Sequence, residues 1–344
     1  MPPLLVGYLN AMGLVRFAAK TTFALVRRLP ALATAAAVGW LGYSGLRRRE
    51  TTLLPAPFPS ELEYVSSLEA GSIAIHKSNA SPDGTATPVL LVHSINAAAS
   101  SYEMSPLFQR IERDRTVVAM DLPGFGHSDR PDIDYSPDLM AGAISSVLST
   151  FDRPVHVVAL SLGSELAARA AITRPDRVSS LTFISPTGMG RRRRTEEVEE
   201  SFIDNLVSLR LVGQAIFDAL STDRSIHYFL GKSFAGEVDA GLAVFASLSS
   251  RQPGARHAPL AFIQGKLFTP SAMSSLYEPL LVPILVLYDE DPYTDFADLP
   301  GFIAVGEGIR HAERIPGTKG LPQFESPDLT LDALQRFWKD VDSR

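Results

Sequence analysis

The sequence predicts an α/β fold: a doubly wound, mostly parallel, eight-stranded sheet that carries a helical cap. Three observations lead there. From about residue 60, short β-rich runs alternate with helical stretches, the pattern of a sheet wound with helices on both faces. The middle runs, VLLVH at 89–93, VVAM at 117–120 and HVVAL at 156–160, are almost continuous in apolar residues. Parallel strands buried on both faces read that way. One stretch, 187–280, holds helical patterns and no convincing strand, as an inserted helical cap does.

The first element differs from the rest. Residues 1–49 contain Arg16, Lys20, Arg27, Arg28, Arg47, Arg48 and Arg49 but no Asp or Glu, while the whole chain carries a net charge of −6. Residues 29–46, LPALATAAAVGWLGYSGL, are uncharged and bracketed by arginines. A helix of that length rises ~27 Å, barely enough to cross a hydrocarbon core. Pro30 suits a first helical turn, and Trp40 and Tyr43 suit an interface. The expectation is an N-terminal apolar helical segment that holds the chain to membrane lipid through residues 1–49, as a single span or an interfacial helix. Two other readings of these residues stay open: an Arg-rich, acid-free transit peptide, and a helix packed on the core. A secretory signal fits less well, because the apolar run starts only at Leu29. Residues 51–60, with Pro55, Pro57 and Pro59, form a linker.

Next comes the body. Strands are expected at 63–67, 72–77, 89–93, 116–121, 155–160, 180–184, 284–288 and 312–315. Helices are expected at 102–112, 137–150, 162–172 and 329–341. Together these make a core of residues 61–186 and 281–344. The cap, 187–280, has helical runs at 196–211 and 237–249. It begins with four arginines at 191–194, then Thr195, then Glu196, Glu197, Glu199 and Glu200. Thr195 can cap a helix whose acidic first turns suit the helix dipole. This charge block reads either as solvated surface or as a second contact with anionic lipid head groups.

Bulk properties narrow the function. A chain of 344 residues, 45% of them hydrophobic, can build one large core with additions. The absence of cysteine excludes disulfides, thiolate metal sites and a Cys nucleophile. The acidic balance argues against a nucleic-acid partner. No metal-ligand spacing, phosphate-binding Gly loop or nucleotide fingerprint is present, so no cofactor or metal is expected.

The chemistry-bearing stretches begin at the fifth strand. Residues 155–166 read VHVVALSLGSEL: a buried strand runs into Ser161 and then into an Ala-rich helix. Small neighbours, Ala159 and Gly163, suit a strained strand-to-helix turn that exposes a nucleophilic serine. The plainer reading is a Ser that caps the helix. At such a turn the Leu162 N–H points toward an oxyanion on a substrate carbonyl. Residues 119–131, AMDLPGFGHSDRP, form a tight turn through Pro123, Gly124 and Gly126. Residues 282–292, VPILVLYDEDP, carry a strand into Asp291, with Asp289 and Glu290 as neighbouring carboxylates that could take its part.

These stretches resemble the α/β-hydrolase superfamily, in particular its capped esterase, epoxide-hydrolase and dehalogenase-like branch. The resemblance covers roughly 63–186 and 282–341. It implies Ser161 as nucleophile, Asp291 as triad acid, and Leu162 and Ile95 as oxyanion-hole donors. His93 matches the family's His-Gly pair after the third strand, with Ser94 in place of the Gly. Asp121 and His127 match structural positions, and so does His93. Serine at the turn, where dehalogenases and epoxide hydrolases use Asp, favours ester or other acyl chemistry on a small apolar or acyl-bearing substrate.

One family feature is missing. The triad histidine aligns with Gly320 in IPGTKGLPQFESP, where Pro322, Glu325 and Pro327 keep register. No histidine follows His311. Lys319, His257 and His227 are the candidate substitute bases: Lys319 from a Ser–Lys dyad, the histidines from the cap. His76 and His156 lie in strands and are expected to be packed. His311 precedes the last strand and sits more than ~15 Å away, at the opposite edge of the sheet. Two readings follow: a membrane-associated serine hydrolase with an unusual base or weak activity, or a non-catalytic scaffold that binds a lipid or a protein.

Overall fold

The computed structural model describes residues 53–78, 85–190, 210–305 and 308–344, together with helical residues 39, 40 and 42. Eight strands form one sheet: β1 (Glu61–Ser67), β2 (Gly71–Lys77), β3 (Val89–Val92), β4 (Val117–Met120), β5 (Val155–Leu160), β6 (Val178–Ile184), β7 (Ile284–Glu290) and β8 (Arg310–Lys319). Their order is β1-β2-β4-β3-β5-β6-β7-β8. β1–β2 and β2–β4 are antiparallel, and all other pairs are parallel. The expected α/β class and mostly parallel eight-stranded sheet are therefore observed. β3, β4 and β5 are buried at every residue, which is why their sequences are apolar without alternation.

Helices cover both faces. α1 (Ser105–Ile111) and the C-terminal Pro327–Asp342 pack one face through Leu107, Phe108, Leu334 and Trp338. α2 (Pro137–Leu148) and α3 (Gly163–Thr173) pack the other through Met140, Ile144, Leu166 and Ala170. Between β6 and β7 lie α4 (Arg210–Leu220), α5 (Asp223–Lys232), α6 (Ala240–Ser250) and α7 (His257–Ile263). Thr222 and Asp239 cap α5 and α6 by accepting N–H groups of Ser225 and Leu242.

Two departures from the sequence reading bear on the site. The helix expected at 102–112 is a 3-10 turn, Ser101–Met104, followed by α1, whose first turn holds Pro106. β8 begins at Arg310 rather than 312, so His311 lies inside it, opposite Leu285. Most of β8 is exposed or half-buried at the sheet edge, with Ile315 and Thr318 its buried residues, so no apolar run marks its start. His311 still faces the first half of β7, the end away from Lys319. His76 and His156 are fully buried, as expected. His156 stacks on Trp338, and burial pushes its pKa down to about 4.

The charged block at 191–200, the helix expected at 196–211 up to residue 209, and most of the N-terminal segment lie outside the described residues. Trp40, which is described, donates its indole N–H to the Ala215 carbonyl on α4 at 3.3 Å. No helix among the described residues is long and apolar enough to cross a membrane.

Candidate active site

The site grows out of the turn between β5 and α3. Ser161 has φ +52, a left-handed conformation that costs a non-glycine residue roughly 1–2 kcal/mol. Two bonds hold it there. Its N–H donates to the Ile184 carbonyl at the end of β6 (2.8 Å), and its own carbonyl accepts from Ser164 (3.0 Å). Gly163 is required by proximity. A β-carbon there would lie 2.4 Å from the His93 carbonyl oxygen, so only glycine lets the β3 loop press against the start of α3. That contact brings the 93–96 loop beside Ser161.

The loop is braced from within. His93 is fully buried; its Nε2 accepts the Leu122 N–H at 2.9 Å and its Nδ1 donates to the Ser94 carbonyl. Both ring nitrogens are thus taken, which suits a structural role and not that of a base. Glu103, buried on the 3-10 turn, accepts from the Ser94 N–H (2.9 Å) and from the Asn96 side chain (2.7 Å). Ile95 and Leu162 are buried, and among the described residues neither of their N–H groups has an acceptor. Two unpaired buried donors are uncommon in a folded chain, and both belong to residues that line one cavity with Ser161.

That cavity has a volume of about 210 Å³. Its walls are mainly apolar, with Leu220, Ile226, Phe229 and Leu230 from α4 and α5, Leu242 from α6 and Phe262 from α7. The polar residues that line it include Ser161, Thr187, Ser233, Asp291 and Tyr293, with Asn96 on the loop and Glu103 on the 3-10 turn.

Of the three neighbouring carboxylates, Asp291 is the one that lines the cavity. Asp289 is tied to Arg314 and to the Thr318 N–H on β8, and Glu290 is exposed. Asp291 Oδ1 accepts the N–H groups of Tyr293 (2.7 Å) and Thr294 (3.0 Å). Burial pushes its pKa up to about 7, against those two bonds and the charge of Lys319, which favour the carboxylate. Burial likewise pushes Tyr293 up to about 12. Gly320 lies against this carboxyl: a β-carbon on it would stand 3.1 Å from Asp291 Oδ2 and 3.4 Å from the Ser233 β-carbon.

Ser161, Asp291, Leu162 and Ile95 are thus gathered around one cavity; the candidate substitute bases are not. His227 is on the exposed face of α5, with Nδ1 bonded to the Asp223 carbonyl at 2.9 Å. His257 pairs with Asp132 at 3.0 Å. Lys319 is near enough to Asp291 to act on its charge but does not line the cavity. No His or Lys does. Sequence reasoning missed Glu103, Thr187, Ser233 and Tyr293, for none of which a local motif exists.

Residues 89–333 match the model of the alpha/beta hydrolase family. A haloalkane dehalogenase from Agrobacterium fabrum is 26% identical over 132 residues, which are 38% of this chain and 42% of that protein. The chain therefore spans less than half the length of that curated relative. Among solved structures, a membrane phospholipase A described as a bacterial virulence factor superposes with a TM-score of 0.64 at 20% identity, over 96% of this chain and 98% of that one. A thermophilic esterase from Thermogutta terrifontis gives 0.62 at 16% identity, over 82% and 99%. These structural likenesses are likenesses of fold.

Proposed function

The chain belongs to the alpha/beta hydrolase family, and on that premise we propose that it is a serine hydrolase acting on an ester or other acyl substrate. The observation that carries the reading is the strained Ser161 sharing a cavity with two acceptor-free N–H groups, those of Leu162 and Ile95. Ser161 Oγ attacks the acyl carbonyl, and the two N–H groups hold the oxyanion. The serine proton needs a taker, since an alcohol is scarcely ionised at neutral pH. The resemblance assigns the triad histidine to position 320, which is glycine here. Asp291, with a pKa of about 7, is suited to the task itself. In this reading it receives the Ser161 proton through a bridging water and returns it to the leaving alcohol by the same path. A water then deacylates Ser161 by the same route.

The apolar walls favour a small apolar or acyl-bearing substrate. Helices α4–α7 act as the cap over it. Membrane lipid is the proposed source, reached through an anchor in residues 1–49. The basic, apolar composition of that segment supports this, as does the fold shared with a membrane phospholipase A. Deleting residues 1–49 is expected to move the protein from the membrane pellet to the supernatant. Unchanged fractionation contradicts the anchor.

A fluorophosphonate probe tests the hydrolase reading. It should label the folded protein at Ser161, and Ser161→Ala should remove the label. A folded, unlabelled wild type points to the second reading, a scaffold that binds a lipid or a protein. Among the described residues no His or Lys lines the cavity, which favours that one.

A further inference from the structure

Away from this cavity, a second group of titratable side chains converges where β2 meets the turn after β4. Asp121 is fully buried. Its Oδ1 accepts the Ser101 N–H at 2.7 Å, and its Oδ2 accepts the His127 N–H at 2.8 Å. His76 Nε2 lies 3.3 Å from Asp121 Oδ2, and His127 Nδ1 lies 3.6 Å from it.

The outer nitrogens reveal the tautomers. His127 Nε2 is 3.0 Å from the Leu54 carbonyl. A carbonyl only accepts, so this nitrogen carries the hydrogen. His76 Nδ1 is 3.3 Å from Ser60 Oγ, whose one proton serves either this nitrogen or the Phe58 carbonyl at 3.2 Å. With that proton on Phe58, His76 Nδ1 is also a donor; with it on His76, Nε2 carries its hydrogen to Asp121 Oδ2 at 3.3 Å. A neutral imidazole has one N–H, so His127 Nδ1 turns a lone pair toward the carboxylate, and in the first arrangement His76 Nε2 does the same. His127 Nδ1 is buried and has no hydrogen-bond partner. Electron-rich atoms that converge away from water call for a cation among them, a proton or a metal ion.

We propose that His76 Nε2, Asp121 Oδ2 and His127 Nδ1 bind a divalent transition-metal ion of the zinc class. All three atoms lie within 4.8 Å of one another. Tetrahedral zinc with bonds of ~2.0–2.2 Å sets its ligand atoms about 3.3–3.5 Å apart, close to the two separations from Oδ2. Two imidazoles and one carboxylate are a borderline donor set that suits zinc, cobalt or nickel. Metal-bound histidines hand their other N–H to a fixed acceptor, the part that Leu54 and Ser60 fill. Gly126 keeps the carboxylate in position, since a β-carbon there would fall 1.9 Å from the Asp121 carboxyl carbon. Arg130, bonded to the Gly126 and Ser128 carbonyls, opposes a dication through its charge. The role is structural: the ion fastens the 53–60 segment to the sheet and is independent of Ser161.

The test is titration of the untagged full-length chain, stripped by chelator, with zinc chloride against a chromophoric chelator. Cobalt replaces zinc for an optical readout. One ion per chain is expected, with a dissociation constant of roughly micromolar or below and a rise in melting temperature. His127→Ala should abolish stoichiometric binding. Ser60→Ala removes no ligand and should weaken binding about 10–100-fold. It also decides the matter should His127→Ala fail to fold. Binding that is absent from the wild type, or equal in the wild type and both variants, overturns the proposal. So does nitrogen NMR that finds both imidazoles protonated and unmoved by zinc, since a proton would then be the cation.

Discussion

Asp291→Asn should cost at least ~100-fold in Ser161-dependent ester hydrolysis while making the folded chain more stable above pH 7. The two effects have one origin. In the folded chain burial pushes this carboxyl up to about 7, while in the unfolded chain it returns to the ordinary range near ~4. Between those values the folded state holds a proton that the unfolded state has released. Stability from this group is therefore complete below about pH 4 and lost as pH rises through 7. Asparagine keeps the oxygen that accepts from Tyr293 and Thr294 and stays neutral at every pH. Its expected gain at pH 8 is on the order of 3 kcal/mol, measured by urea unfolding.

His156 contributes the opposite slope. Burial pushes it down to about 4, so the unfolded chain takes up a proton first as pH falls below the ordinary histidine value. Stability from His156 is present above about pH 6.5 and lost as pH falls toward 4. In the wild type the two slopes oppose each other in that window. In Asp291→Asn the His156 slope stands alone, so the variant should lose stability with acid more steeply than its parent. Kinetically, wild-type hydrolysis should rise across pH 7 with loss of one proton, and the variant should lack that rise. A variant less stable than wild type at pH 8 would make Asp291 a satisfied structural carboxylate and remove it from the chemistry.

Which parts of this were legible in the sequence follows from burial. β3, β4 and β5 declare themselves because both their faces are covered, so every residue is apolar. β8 hides its start because its early residues meet solvent. The Ser161 turn was readable through Gly163, whose missing side chain is demanded by a backbone oxygen. Position 291 was separable from 289 and 290 only in three dimensions, where Arg314 and Thr318 claim Asp289. The substitute bases could not be judged from sequence, because helical spacing does not say which face of a cap helix meets the core; His227 turned outward and His257 found Asp132. Glu103 braces the 93–96 loop from nine residues beyond Ser94, across a turn that has no sequence signature. His76, Asp121 and His127 form no ligand motif along the chain, and sheet pairing between β2 and β4 brings them together.

Free imidazole should accelerate hydrolysis by the wild type about 10–100-fold, and Gly320→His should not match it. The reason lies in the backbone of residue 320. Its φ of +79 is one that a side-chain-bearing residue reaches at a cost of roughly 1–2 kcal/mol. The new β-carbon would also stand 3.1 Å from Asp291 Oδ2, closer than ordinary contact, and touch the Ser233 β-carbon at 3.4 Å. A histidine at this position starts out strained and crowded, and its ring is aimed by a backbone shaped for glycine. A free ring has no such constraint: it can accept the Ser161 proton on one nitrogen while its other N–H donates to Asp291. The acceleration should saturate with imidazole concentration and appear above its pKa of about 7, where the neutral ring dominates. Imidazole also attacks activated esters unaided, so Ser161→Ala sets the background. Rescue that survives in Ser161→Ala would be solution chemistry. Rescue lost in Ser161→Ala and diminished in Asp291→Asn would mean that nucleophile and acid are both intact, and that the one catalytic part this chain lacks is the ring between them.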